Sequence, residues 1–127
     1  MRILADTHLL LWAAAEPERL SSYAQTVLDD AQNEILFSTA SVWETSIKSS
    51  QRRPDFPVSP SSWRRNLLDV GYRELLITSE HVLAVASLPA IHRDPFDRLL
   101  AAQAQVEGLL LITSDATLAR YPGVRLV

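Results

Sequence analysis

The chain contains no cysteine, which excludes disulfides, thiol nucleophiles and cysteine-ligated zinc. No apolar run approaches the roughly 18 residues that a bilayer-crossing helix needs. Arg2 followed by Leu9-Leu10-Leu11-Trp12-Ala13-Ala14-Ala15 faintly mimics a secretory leader, but Asp6 and His8 interrupt its apolar core. The expectation is a cytoplasmic protein without membrane contact. Internal repeats, low-complexity tracts and runs of five charges are absent as well. Positive charge is scarce: 12 basic residues face 15 acidic ones, for a net charge of −3. That argues against a general nucleic-acid coat, yet leaves room for an enzyme that grips a few phosphates locally. Lysine occurs once, as Lys48, and the pairs Arg52-Arg53 and Arg64-Arg65 read first as solvated faces.

What is present suits a single domain over residues 1–127, with 47% hydrophobic and 21% charged residues. The one linker-like stretch, Ser49 to Ser62 with Pro54, Pro57 and Pro60, reads as a connection between helices inside that domain. Short apolar runs predict strands at Arg2–Ala5, Glu34–Phe37, Glu74–Ile77, Leu109–Ile112 and Val124–Val127. Between them, helical periodicity predicts helices over His8–Ala15, Ser21–Ala31, Ser41 to about Ser50, Pro60 to Gly71, Ser79–Leu88 and Pro95–Glu107. Ser59 is the expected cap of the helix that Pro60 opens. Alternating strands and helices imply an α/β domain with a mostly parallel sheet. Leu109-Leu110-Leu111-Ile112 is apolar at every position, as befits a central strand covered on both faces.

In right-handed β-α-β units, strand C-termini and the following helix N-termini share one sheet edge, where ligands bind. The acids expected there are Asp6 after strand one, Glu44 after strand two, Asp94 and Asp97 around Pro95, and Asp115 after strand four. Helix N-termini attract acids in any case. Ser41-Val42-Trp43-Glu44 spells a capping box, Asp94-Pro95-Phe96-Asp97 spells a cap with proline at the first helical position, and Asp115 could cap a turn before Tyr121. Asp6 is the exception, since Thr7 could cap in its place. Jointly, however, acids gathered on one edge repel one another, and capping alone does not require that each be an acid. With no cysteine, and His8 as the one imidazole expected nearby, the set offers hard oxygen ligands suited to Mg²⁺ or Mn²⁺ rather than zinc. Such ions acidify a bound water and offset charge on phosphoryl oxygens.

One stretch carries a family signature: His92-Arg93-Asp94-Pro95-Phe96-Asp97-Arg98-Leu99-Leu100-Ala101-Ala102-Gln103-Ala104. Leu4-Ala5-Asp6-Thr7-His8, Ser41-Val42-Trp43-Glu44 and Ile112-Thr113-Ser114-Asp115 support it in the right order. The chain resembles the PIN-domain nucleases over nearly its whole length, and within them the VapC-type toxins of bacterial toxin–antitoxin pairs. The resemblance implies an α/β/α sandwich with a five-stranded parallel sheet in the order 3-2-1-4-5. It implies a divalent-metal-dependent endoribonuclease leaving a 5′-phosphate and a 3′-hydroxyl, with Asp6, Glu44, Asp97 and Asp115 at a site for Mg²⁺ or Mn²⁺. Thr113 matches a hydroxyl position beside the last acid, and Asp94 is read as a cap before a ligand. An RNA substrate, a small antitoxin partner and a homodimer are implied likewise. The chain departs from relatives after Lys48, where Ser49-Ser50-Gln51-Arg52-Arg53-Pro54 replaces a Gly-Lys-Leu-like stretch.

Other readings differ in what they require. A phosphoacceptor receiver needs an aspartate ending strand three and a lysine ending strand five; the chain has Ile77-Thr78-Ser79 at the first place and Lys48 on a helix. A haloacid-dehalogenase-like phosphatase needs Asp-x-Asp after strand one, where this chain has Asp6-Thr7-His8. The intact acidic set argues against a catalytically dead binding module, whereas a DNA-directed nuclease shares the same chemistry and stays open. Trp12, Trp43 and Trp63 read as core or interface anchors, His81 and His92 as surface or helix-start residues.

Overall fold

The computed structural model describes residues 1–51 and 59–127; Arg52, Arg53, Pro54 and Pro57 lie outside the described residues. In chain order come β1 (Arg2–Ala5), α1 (Thr7–Ala15), α2 (Ser22–Asp29), β2 (Glu34–Ser38), α3 (Thr39–Ser50), α4 (Pro60–Asp69), β3 (Arg73–Leu75), α5 (Ser79–Val85), α6 (Pro95–Glu107), β4 (Leu110–Thr113) and β5 (Val124–Leu126). Two short 3-10 turns, Pro17–Arg19 and Leu118–Arg120, complete the described residues. The strands form one parallel sheet in the order β3-β2-β1-β4-β5, as the sequence predicts. Ile3 pairs with Leu110 and Ala5 with Ile112, which makes β1 and β4 neighbours at the point where strand order reverses. No helix among the described residues is long and apolar enough to cross a membrane.

Successive strand residues point to opposite faces, and each face has its own core. Ile3, Ala5, Phe37 and Ile112 pack with Leu9 and Leu10 of α1, Ala24 of α2 and Trp63 of α4. Leu4, Leu36 and Leu111 pack on the other face against Leu100, Ala101 and Ala104 of α6. These two apolar layers make the α/β/α sandwich and explain why β4 is apolar up to Thr113 at its end.

Element limits differ from the sequence reading where tertiary hydrogen bonds intervene. β3 begins at Arg73 rather than Glu74 and stops at Leu75; Arg64 of α4 binds Glu74 at 2.8 Å, so this basic residue ties a helix to the sheet. Helix α3 begins at Thr39, not Ser41, because the Ser38 hydroxyl accepts from the Ala40 amide at 2.9 Å. Ser38 also donates to Gln103 of α6, so one side chain caps α3 and locks it to its neighbour. Ser59 precedes α4 as expected, but among the described residues its hydroxyl meets Ser61 at 3.2 Å and makes no cap bond. Ser38→Ala is therefore expected to lower unfolding free energy by about 1–2 kcal/mol, from a lost cap and an orphaned Gln103. Ser59→Ala should lower it far less. Comparable losses for both variants in thermal melts would refute this assignment of the caps.

Candidate functional site

At the C-terminal edge of the sheet, Asp6 follows β1 and is the N-cap of α1: its Oδ1 accepts from the Leu9 amide at 2.9 Å. The sequence reading gave that role to Thr7. Thr7 is instead the first helical residue, and its hydroxyl donates to Ser41 at 2.7 Å, joining α1 to α3. The second Asp6 oxygen accepts from the hydroxyl of Thr113, at the end of β4. Asp6 is only 3% exposed, and burial raises its carboxyl above the ordinary range; the bonds from Thr113 and Leu9 oppose the rise. The nearby Glu44 charge adds to it.

Glu44 lies in the second turn of α3 because that helix starts two residues earlier than its letters suggest. It therefore caps nothing. Its carboxylate is buried, with Oε2 accepting from Lys48 Nζ at 2.9 Å and Oε1 lacking a hydrogen-bond partner among the described residues. A buried carboxylate oxygen without a donor is costly in a folded protein and marks a place where an absent cation would fit.

Asp97 follows Pro95 in the first turn of α6. Burial first, then the neighbouring Asp94 charge, push its carboxyl up to about 7; Asp6 and Glu44 add to the rise while His92 counters it. That dependence places Asp6, Glu44, Asp94 and Asp97 within reach of one another's fields, as the topology requires. Asp94 acts as the cap expected of it, its Oδ1 accepting from the Phe96 amide at 2.8 Å and the Asp97 amide at 3.2 Å.

Asp115 divides its two oxygens between tasks. Oδ1 accepts from the Thr117 and Leu118 amides at 2.8 and 3.2 Å, capping the turn before Tyr121. Oδ2 meets His92 Nε2 at 2.9 Å. Burial alone would raise the Asp115 carboxyl, but the bonds from His92, Leu118 and Thr117 outweigh it and hold the group below its ordinary range.

His92 is the residue that the sequence reading missed as a site member. It is not a surface or helix-start bystander: Nε2 lies 3.2 Å from Asp97 and 2.9 Å from Asp115, bridging the two acids. One ligating atom from each of His92, Asp97 and Asp115 falls within 4.8 Å of the others. The available signal was its place at the head of the Asp94-Pro95-Phe96-Asp97 stretch. His81 is a helix-start residue, one of the two expected readings, but not a surface one: it is fully buried, binds Glu107 at 2.8 Å and completes a capping box with Thr78. Trp63 is a core anchor as expected, whereas Trp43 is 56% exposed and packs edge-on against Phe96, ring centroids 4.9 Å apart.

Among the described residues Asp97 and Asp115 fall in one close group with His92, while Asp6 and Glu44 lie outside that group but close enough to raise the Asp97 carboxyl. This oxygen-rich set, with Glu44 Oε1 lacking a donor among the described residues, fits a divalent cation. A negative pocket of this kind also suits the neutralising charge that phosphoryl chemistry needs.

The PIN domain profile matches residues 3–124. Ribonuclease VapC22 from Mycobacterium tuberculosis (strain ATCC 25618 / H37Rv) is 32% identical over 120 residues, covering 94% of this chain and 91% of that protein. Among solved structures, VapBC2 from Rickettsia felis bound to a promoter DNA fragment superposes with a TM-score of 0.73 at 18% identity, over 100% of this chain and 98% of that one. A toxin–antitoxin complex from Klebsiella pneumoniae gives a TM-score of 0.64 at 20% identity, over 97% and 95% of the two chains. At those identities the structural likeness speaks for the fold, and the sequence match speaks for the lineage. The chain belongs to the PIN domain family, as a VapC-like member.

Proposed function

We propose that this chain is a divalent-metal-dependent endoribonuclease, the toxin of a toxin–antitoxin pair. The observation that carries the reading is geometric: ligating atoms of Asp97 and Asp115 lie within 4.8 Å of each other, and the nearby buried Glu44 has an oxygen with no donor among the described residues. Burial, with the Asp94, Asp6 and Glu44 charges, raises the Asp97 carboxyl to about 7. Folding places those charges together at a cost, and a cation relieves it. Asp6, Glu44, Asp97 and Asp115 would hold Mg²⁺ or Mn²⁺, while Asp94 serves as a cap. When bound, the ion supplies Lewis acidity, acidifying a water for attack on phosphorus and offsetting charge on the phosphate oxygens. Thr113 orients Asp6 through its hydroxyl, and the Asp6 and Asp115 caps fix those carboxylates to rigid helix starts. Lys48 sets positive charge against Glu44 at the rim.

The name of the mycobacterial relative supports RNA as the substrate, and the toxin–antitoxin neighbours support a small antitoxin as partner. A homodimer in an intracellular setting is part of the same reading. Purified protein should cleave single-stranded or structured RNA with Mg²⁺ or Mn²⁺, leaving 5′-phosphate ends, and chelator should stop it. Undiminished cleavage by Asp6→Asn protein, free of contaminating nuclease, would sink the mechanism. Equal cleavage of a matched DNA oligonucleotide would move the substrate to DNA and leave the metal site standing.

A further inference from the structure

His92 looks at first like a ligand to the cation, because its Nε2 lies with one oxygen each of Asp97 and Asp115 inside 4.8 Å. The other side of the ring argues otherwise. The Asp94 backbone amide donates to His92 Nδ1 at 3.0 Å. A backbone N–H can only donate, so Nδ1 must present its lone pair. In the neutral ring the proton then resides on Nε2, which donates to Asp115 Oδ2 at 2.9 Å with Asp97 Oδ2 beside it at 3.2 Å. A ring nitrogen that carries a proton has no lone pair for a metal. The backbone also pins the residue: the His92 amide donates to the Tyr121 hydroxyl at 3.0 Å, and that hydroxyl donates to the Pro89 carbonyl at 3.0 Å. Tyr121 is buried, and Arg98 donates to the same hydroxyl at 3.0 Å, so the anchor cannot drift.

We propose that His92 is a positioning residue: its Nε2–H binds Asp115 and sets the ring edge against Asp97, which keeps the two carboxylates together for a shared divalent ion. This rests on the metal-site reading above. Two like charges at one edge otherwise move apart, and any ion that arrives must first draw them together. With the imidazole between them, that arrangement exists before the ion binds. The Asp94 amide sets the tautomer, so the acid that opens α6 contributes to the site through its backbone rather than its carboxylate. Donors that orient metal-binding carboxylates change metal affinity by about 10–100-fold when removed.

The test is Mn²⁺ binding to the full chain, followed by electron paramagnetic resonance of the ion, with wild type, His92→Ala and His92→Gln. Glutamine places an N–H donor at about the depth of Nε2 but no imidazole. Expected results are a roughly tenfold or greater loss of Mn²⁺ affinity for His92→Ala, recovery of most of it in His92→Gln, and no directly coordinated nitrogen in the spin-echo spectrum of wild type. Direct ¹⁴N coupling in wild type that shifts when histidine is labelled with ¹⁵N and persists in His8→Ala would overturn the proposal in favour of ligation. Equal affinity in all three proteins would reduce His92 to a structural residue while leaving the metal site intact. Wild type that binds no Mn²⁺ at all would overturn both this proposal and the function on which it rests.

Discussion

Asp97→Asn protein is expected to melt at a higher temperature than wild type at pH 8 without divalent ions, and to have lost RNA cleavage. The unfolded chain releases the Asp97 proton near the ordinary value of 3.8, whereas the folded chain keeps it until about 7. Between those values the native state binds more protons, so wild-type stability falls as pH rises through the window and stays low above it. Asparagine carries no such proton. Its advantage should be absent below pH about 4, grow through the window, and reach about 2–4 kcal/mol above pH 7, allowing about 1.4 kcal/mol for each pH unit and some relief by solvent. Melts in chelator from pH 4 to 8 would show it; a difference that stays flat with pH would refute it. Metal should narrow the difference, and closing it takes roughly 100–1,000 times the dissociation constant, where an ion contributes about 2.7–4.1 kcal/mol. At ten times its dissociation constant an ion adds about 1.4 kcal/mol to the native state, roughly 3–6 °C for a domain of this size. Wild type should gain that and Asp97→Asn most of it lose. Because a catalytic metal contributes several kcal/mol to transition-state stabilisation, cleavage should fall by a factor on the order of 100 or more.

The second large effect concerns Lys48→Met. Glu44 is 2% exposed and pairs with Lys48 at 2.9 Å. Removing one partner of a buried pair leaves an uncompensated charge, at a cost of about 3–5 kcal/mol. The Lys48 side chain is 24% exposed, so water reaches the pair and the expected loss in chelator is smaller, about 2–3 kcal/mol. Saturating Mn²⁺ should restore most of it, because a cation beside Glu44 replaces the missing charge. Adding Glu44→Gln to Lys48→Met should restore stability without metal, since no charge is then left behind. Denaturant unfolding of the four proteins in chelator decides the matter. A Lys48→Met protein within about 0.5 kcal/mol of wild type would show that Glu44 does not depend on this lysine.

Those two residues also mark what local sequence can and cannot say. Strands β1 and β4 are legible because each is a short apolar run with one polar residue, Arg2 or Thr113, at its end, and the sheet order follows the family pattern carried by the same letters. The acids too are legible, since topology sends strand ends to one edge. Their individual roles are less so. Ser41-Val42-Trp43-Glu44 has the letters of a capping box, but Ser38 wins the cap, helped by Gln103 at a separation of 65 residues, which no local pattern encodes. That shift of the helix start moves Glu44 from a cap into the buried site. His92 is hidden for the same kind of reason. Its neighbours in sequence make it look like a helix-start residue, while its function-bearing partner, Asp115, lies 23 positions away. Capping and site roles also coexist in one side chain: Asp6, which the sequence exempts from capping, and Asp115, which it reads as a possible cap, each give one oxygen to a cap and the other to Thr113 or His92.

The neighbouring placement of β1 and β4 has a consequence in time. Asp6 leaves the ribosome early, but the hydroxyl that orients it, on Thr113, is 107 residues behind. At about 5–20 residues per second, seconds separate the two. A nascent chain that already carries Asp6 and Glu44 has no β4 to seat beside β1, and neither Asp115 nor the His92 bridge between Asp97 and Asp115. The cluster closes only after β4 and the turn behind it, with Asp115, have been made. Until then the early acids stand without the partners that orient them, and synthesis through Asp115 becomes a checkpoint that the site passes once.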